Sequence, residues 1–231
     1  MVSVIFPAAG KGRRMNLGMN KVFMDLSGMP ILVRTLLKFS ACEAVDQLVV
    51  VVAPAEAEFV EGILKRTAGL KDYLVVAGGS ERQYSVWNGI KAIKNASDDD
   101  IILVHDAARP LIGSQVILDI IRVAREKGAA IAAVPAKNTI KLRSERNYVL
   151  DTLDRSKLWE AQTPQGFRRN ILVTANKLAQ KHGFLGTDDA SLVERTGHPV
   201  YIVKSDYRNI KITTPEDIVI ARAFLAEEEE I

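Results

Sequence analysis

Cysteine and histidine are nearly missing from this chain of 231 residues: there is one cysteine, Cys42, and three histidines. A lone cysteine excludes an internal disulfide and suits a reducing cytosol. His105, His182 and His198 have no cysteine neighbours at ligand spacing, so no zinc site is indicated. A long apolar run is also lacking; none reaches the roughly 18 residues of a membrane span. The N-terminus carries no secretory pattern, because a strand-like run starts at once and cations follow it. Charge is nearly balanced, at 31 basic and 28 acidic side chains and a net +3. That is too little to imply nucleic-acid binding. The expectation is a cytoplasmic protein with neither nucleic acid nor membrane as partner.

What is present is an ordinary globular composition, 48% hydrophobic and 26% charged, long enough for one sizeable α/β core. Short, mostly β-branched apolar segments at 2–6, 48–53, 73–77, 101–105 and 129–134 read as strands buried on both faces. Helical patterns lie between them, at 30–39, 56–66 and 82–94. Another starts at Ser114 as N-cap, with Val116, Ile117, Ile120, Ile121 and Ala124 on one face and Gly128 as stop. This alternation predicts a doubly wound, mostly parallel Rossmann-like sheet in one domain spanning 1–231. The rhythm breaks at 136–160, where two alternating pieces flank a Ser-Glu-Arg-Asn turn. That pattern predicts a β-hairpin arm, which needs a surface to pack on, such as a second subunit. Helices at 169–182 and 188–195, a strand at 200–204 and a helix opened by Thr214-Pro215-Glu216-Asp217 follow. The closing acids 227–230 predict a frayed end, and Asp98-Asp99-Asp100 a solvated turn.

Three motifs stand at strand ends. After the first strand, Pro7-Ala8-Ala9-Gly10-Lys11-Gly12-Arg13-Arg14-Met15, with Lys21 beyond, combines small residues and cations without an acid before Asp25. Met15 stands where a dinucleotide fingerprint needs its third glycine, and no Walker A spacing exists. A triphosphate-binding loop remains, the alternative being a solvated surface loop. Gly78-Gly79-Ser80-Glu81-Arg82-Gln83-Tyr84-Ser85 opens a helix. It reads either as a cradle for a flat base, with Ser85 on its edge, or as a plain turn. His105-Asp106-Ala107-Ala108-Arg109-Pro110 puts a carboxylate at the carboxyl end of a strand, where open sheets bind ligands. Asp106 suits Mg²⁺; its alternative is a helix cap or a partner of Arg109. His105 reads as structural. Thr163-Pro164-Gln165 and Asn209-Ile210-Lys211 read singly as loop residues and an outward cation.

Together these strings resemble the 2-C-methyl-D-erythritol 4-phosphate cytidylyltransferase family of the non-mevalonate isoprenoid pathway. The string His105 to Pro110 is the most specific part. The resemblance implies a nucleotide-diphospho-sugar transferase type of fold, CTP and a polyol phosphate as substrates, Mg²⁺ or another divalent cation, and a homodimer joined through the arm. It assigns catalysis to Arg14, Lys21, Arg155 and Lys211, and nucleotide binding to Ala8, Ala9, Gly10, Gly79, Ser80 and Ser85. Acceptor binding falls to Asp106, Arg109, Thr139, Arg155, Thr163 and Lys211, with Asp106 also the metal ligand and Thr139 and Arg155 delivered from the partner. The reaction implied is in-line attack of the acceptor phosphate on the α-phosphorus of CTP. An anionic nucleophile needs no general base, so cations and positioning carry the chemistry. Two departures from the family's pattern are Asn20 where proline is usual and Tyr207-Arg208 before Asn209. A ribitol 5-phosphate cytidylyltransferase and a non-catalytic CTP-binding regulator remain as alternatives.

Overall fold

A computed structural model describes residues 1–10 and 20–229. In chain order the elements are β1 (Val2–Pro7), α1 (Ile31–Ser40), β2 (Gln47–Val52), α2 (Ala57–Lys65), β3 (Tyr73–Ala77), α3 (Arg82–Ala92), β4 (Ile101–Val104) and α4 (Ser114–Lys127). There follow β5 (Ala129–Pro135), β6 (Lys141–Arg143), β7 (Val149–Thr152), β8 (Trp159–Arg168), α5 (Arg169–Lys181), α6 (Asp189–Glu194), β9 (Tyr201–Lys204) and α7 (Pro215–Glu229). The main sheet has seven strands in the order β3-β2-β1-β4-β8-β5-β9. Only β8 runs antiparallel to its neighbours, β4 and β5.

Alternate residues of the strands feed two cores. Val2, Val4 and Phe6 of β1, with Leu48 and Val50 of β2, meet α1, α2 and α4. Ile5, Val49 and Val51 point to the opposite face, against α3, α5 and α6. Both faces are covered, which is why these strands read as unbroken apolar runs. Each fully buried large side chain contributes roughly 1.5–3 kcal/mol. A third cluster seats α7 through Ile218, Ala221 and Leu225 on Leu26, Ile31 and Ile212.

Several expectations change. β8 has no counterpart among the predicted strands; Thr163-Pro164-Gln165 is part of a central strand, not a loop. The pairing between β5 and β8 skips a register step between Ile131 and Ala133. Pro164, which has no N–H to give a ladder, sits in the skipped stretch. Ser114 is the first residue of α4 rather than its cap, which is Gly113. Gly128 does end that helix, at φ +93°, where a side chain would be strained. The turn at 98–100 is not merely solvated: Asp100 accepts from the Met1 ammonium at 2.7 Å, and Asp98 pairs with Arg169 at 3.2 Å. α7 runs as helix through Glu229, with Glu227 paired to Arg208.

The arm is a two-stranded sheet of β6 and β7, apart from the main sheet. Its turn closes by Asn147 N–H donating to Ser144 O at 3.1 Å, with Asn147 at φ +64°.

Candidate active site

In the sheet order, β1 has β2 on one side and β4 on the other. The chain therefore leaves β1 and β4 in a crevice at their carboxyl ends, the place where open α/β sheets hold ligands. A cavity of about 370 Å³ lies there. Its walls are Pro7–Gly10 after β1, Asn20–Val22, Gly79–Arg82 and Ser85 at the start of α3, Asp106–Ala108 after β4, and Lys211 with Thr213 before α7.

Backbone approach is closest at Gly78. A Cβ there would fall 2.6 Å from the Ala9 Cβ and 3.0 Å from Ser85 Oγ. Glycine thus lets the loops after β1 and β3 touch. Ser85 Oγ accepts from Gly79 N–H and donates to Glu81 O, both at 3.1 Å. Its hydroxyl shapes the turn, and Gly79, Ser80 and Ser85 line the cavity on this side.

Asp106 is the electrostatic centre. Its carboxylate lies 2.8 Å from Lys211 Nζ and 3.6 Å from both Arg82 Nε and Arg109 Nε. Burial pushes its carboxyl up, but Arg82, then Lys211 and Arg109, outweigh it and hold the group well below the usual carboxylate range. Among the lining residues three cations, Lys21, Arg82 and Lys211, face two acids, Glu81 and Asp106, which favours an anionic ligand. Asp106 N–H donates to Thr163 Oγ1 at 3.0 Å, which ties the loop after β4 to the antiparallel β8 beside it. Arg109 Nη1 donates to Asn209 O at 2.7 Å, and Asn209 Nδ2 donates to Gln162 Oε1 at 2.8 Å and Thr163 O at 2.9 Å. His105 is fully buried beside Phe6 and Phe39, and its Nε2 lies 3.1 Å from Arg109 O. A carbonyl only accepts, so Nε2 carries the proton there. Burial pushes the His105 imidazole down to about 3, so it is neutral.

Lys21 reaches the opposite wall, donating from Nζ to Ile212 O at 2.8 Å. The cavity thus unites Ala8, Ala9, Gly10, Lys21, Gly79, Ser80, Ser85, Asp106 and Lys211. Arg109 and Thr163 stand behind Asp106 rather than in the lining. Thr139 and Arg155 are on the exposed arm, where Arg155 Nη1 donates to Lys137 O at 2.8 Å. Arg14, with Lys11 and Arg13, lies outside the described residues.

Residues 2–227 match the family model described as 2-C-methyl-D-erythritol 4-phosphate cytidylyltransferase. The chain belongs to that family. A cytidylyltransferase of this name from Geobacillus kaustophilus is 48% identical over 219 residues, 95% of this chain and 94% of the relative. One from Caldanaerobacter subterraneus subsp. tengcongensis is 45% identical over 225 residues, covering 97% and 98%. Among solved structures, 4-diphosphocytidyl-2C-methyl-D-erythritol synthase from Anaerococcus prevotii superposes with a TM-score of 0.87 at 29% identity, covering 98% of this chain and 96% of that one. The Francisella tularensis cytidylyltransferase gives 0.82 at 32% identity, covering 95% and 97%. The named relatives are cytidylyltransferases, that is, nucleotidyltransferases.

The sequence reading named Arg82, Asn20 and Asn209 within its motifs but gave none of them a role. Arg82 joins Asp106 to the buried Asp189, which it meets at 2.7 Å, and burial is outweighed so that its guanidinium stays charged. Its only signal was its place in the Gly78-Gly79 string. Asn209 had only its place before Ile210-Lys211; its amide stitches that loop to β8.

Proposed function

We propose that this protein is a cytidylyltransferase joining CTP and 2-C-methyl-D-erythritol 4-phosphate, releasing pyrophosphate. The full-length family match, laid over a cavity walled by Lys21, Lys211 and Arg82, carries that reading. The ribitol phosphate and regulator alternatives are not favoured by any of the named relatives above.

In this reading the acceptor phosphate, already an anion of about −1.5 to −2 charge, attacks the α-phosphorus in line. A P–O bond forms as the bond to the β-phosphate bridging oxygen breaks, and pyrophosphate leaves with the electron pair. No proton needs to be removed from the nucleophile. The three histidines agree with this: His105 is sealed in the core as a neutral ring, and neither His182 nor His198 lines the cavity. We assign charge neutralisation at the α-phosphate to Lys21 and Arg14, and alignment of the acceptor to Asp106 and Lys211. Arg109 and Thr163 act by holding Asp106 in place. The small residues Ala8, Ala9, Gly10, Gly79, Ser80 and Ser85 border the nucleotide.

Magnesium fits the donor set in one manner. Asp106 stays ionised, but among the described residues no group of three acids, histidines or cysteines could cage a metal. Magnesium commonly takes one or two carboxylates and completes its shell with substrate phosphates and water. Asp106 would be that carboxylate, and the ion would supply charge neutralisation on the triphosphate.

The arm supports an assembly reading. Leu142, Tyr148, Val149 and Leu150 are each about half exposed on a hairpin of two strands, which is marginal alone. We propose a homodimer in which the arm brings Thr139 and Arg155 to the partner's cavity. We also propose one nucleotidyltransferase domain over 1–231, working in the cytoplasm. Cys42 is free and buried, and no helix among the described residues is long and apolar enough to cross a membrane.

The test is pyrophosphate release with CTP and either methylerythritol phosphate or ribitol 5-phosphate. Turnover with methylerythritol phosphate at least tenfold above ribitol phosphate, about 1.4 kcal/mol, is expected. The reverse preference, or CTP binding without pyrophosphate from either acceptor, overturns the assignment.

A further inference from the structure

The turn that carries Lys21 is held by a residue with no place in the mechanism above. Asn20 is 5% exposed and precedes a single 3-10 turn, Lys21–Phe23. Both N–H donors of its amide and one of the two acceptor positions of its oxygen meet protein groups. Nδ2 donates to Ala8 O at 2.6 Å and to Glu56 Oε2 at 3.3 Å, and Oδ1 accepts from Val22 N–H at 3.4 Å. Ala8 is gripped from its other side too, since its N–H donates to Val51 O at 2.7 Å.

The Ala8 bond joins the end of β1 to the start of the Lys21 turn, two walls of the same cavity. The Glu56 bond fixes the same amide to the segment before α2. Lys21 Nζ in turn spans to Ile212 O, beside Lys211 and Thr213. A shift of Asn20 would therefore move the Lys21 ammonium relative to the nucleotide loop without altering any charge. Asn20 is at φ −68° and ψ 125°, an unstrained extended conformation. The side-chain bonds, rather than any backbone peculiarity, define the turn's place.

We propose that Asn20 is a positioning residue for the transfer step, clamping the Lys21 turn to the nucleotide loop through Ala8 and Glu56. The proposal rests on the cytidylyltransferase reading above. Its consequence is specific: loosening the clamp should degrade transition-state contact more than nucleotide binding, since the other walls stay intact.

The experiment compares Asn20→Ala and Asn20→Asp with the parent enzyme by steady-state pyrophosphate release, calorimetric CTP affinity and thermal midpoint. Aspartate keeps the acceptor for Val22 N–H but loses both donors. A misplacement near 1 Å costs about 10²-fold in rate, so both variants should lose roughly 10- to 100-fold in kcat, with CTP affinity within about threefold. An Asn20→Asp enzyme within twofold of the parent in kcat overturns the clamp. So does a parallel fall of kcat, CTP affinity and thermal midpoint, which marks Asn20 as a purely structural residue. Should both variants fail to fold, Glu56→Ala carries the test by removing the outer anchor alone. Lower kcat at unchanged CTP affinity supports the clamp, and unchanged kcat overturns it. A parent enzyme that releases no pyrophosphate defeats the functional reading and not the role of Asn20.

Discussion

The cavity wall and the arm carry assigned residues of the same kinds, yet they are held in opposite ways. Around Asp106 the assigned groups are held by protein partners: three cations on the carboxylate, Thr163 on its N–H, Asn209 behind Arg109. The ordering cost there is met during folding, so the charges are pre-organised. On the arm, Thr139 and Arg155 are exposed, and the surrounding apolar side chains face outward. The wall's charges are held by partners within the chain, whereas the arm's exposed side chains await the surface that the proposed dimer would supply.

The largest effect should come from the wall. Lys21→Ala is expected to lower kcat by about 10²–10³, the range for losing one preorganised transition-state contact, with a smaller loss of CTP affinity. Pyrophosphate release and calorimetry separate the two quantities; equal losses would reduce Lys21 to an anchor.

Next comes a pH effect from His105, buried behind that wall. An unfolded histidine binds its proton below about pH 6.5, whereas buried His105 does so only below about 3. Between those values the unfolded state holds the extra proton, so stability is complete above the window and falls as pH drops through it. The slope is about 1.4 kcal/mol per pH unit. The contribution of Asp106, whose folded value is depressed, is lost at more acid pH, below its unfolded value near 3.9. Urea midpoints from pH 7 to 4.5 should show the slope in the parent and a flatter line in His105→Gln. An unchanged slope in the variant would mean that His105 is not the group sealed from protons.

The smallest effect on stability, and the sharpest on assembly, should come from the arm. Leu150→Asp sits on a side chain 55% exposed, so the fold should change by no more than about 0.5 kcal/mol. Sedimentation should show loss of the dimer, and specific activity should fall on dilution. Full activity as a monomer would dissolve the contrast between wall and arm.

The wall was also the more legible region. His105 to Pro110 follows an apolar strand, and the carboxyl end of such a strand is where a ligand-facing acid belongs. The parallel strands announced themselves because both of their faces are buried, and the arm by its alternating pieces around Ser144 to Asn147. β8 did not. Gln162, Pro164, Gln165 and Gly166 interrupt any apolar run, and a proline argues against a central strand. The strand exists because the ladder skips the Pro164 stretch, and because Gln165 Oε1 accepts from the N–H groups of Asp189 and Ala190 at 3.2 and 3.0 Å. Those partners are more than twenty positions away, beyond any local pattern. Arg82 and Asn20 escaped a role for a similar reason: nothing adjacent in the chain indicates Asp189, Ala8 or Glu56 as neighbours.

By itself the sequence determined the alternation of strands and helices, the loops that follow β1 and β4, the separate arm, and the gathering of cations after β1. These depend on local periodicity and residue type. Only the tertiary structure decided that Lys211, Arg82 and Arg109 meet on one carboxylate, that an antiparallel strand stands beside β4, and that Asn20 ties the Lys21 turn to Ala8. Hydrogen bonds and ion pairs form between groups that the topology brings together, and their geometry is set by packing across the sheet rather than by position along the chain.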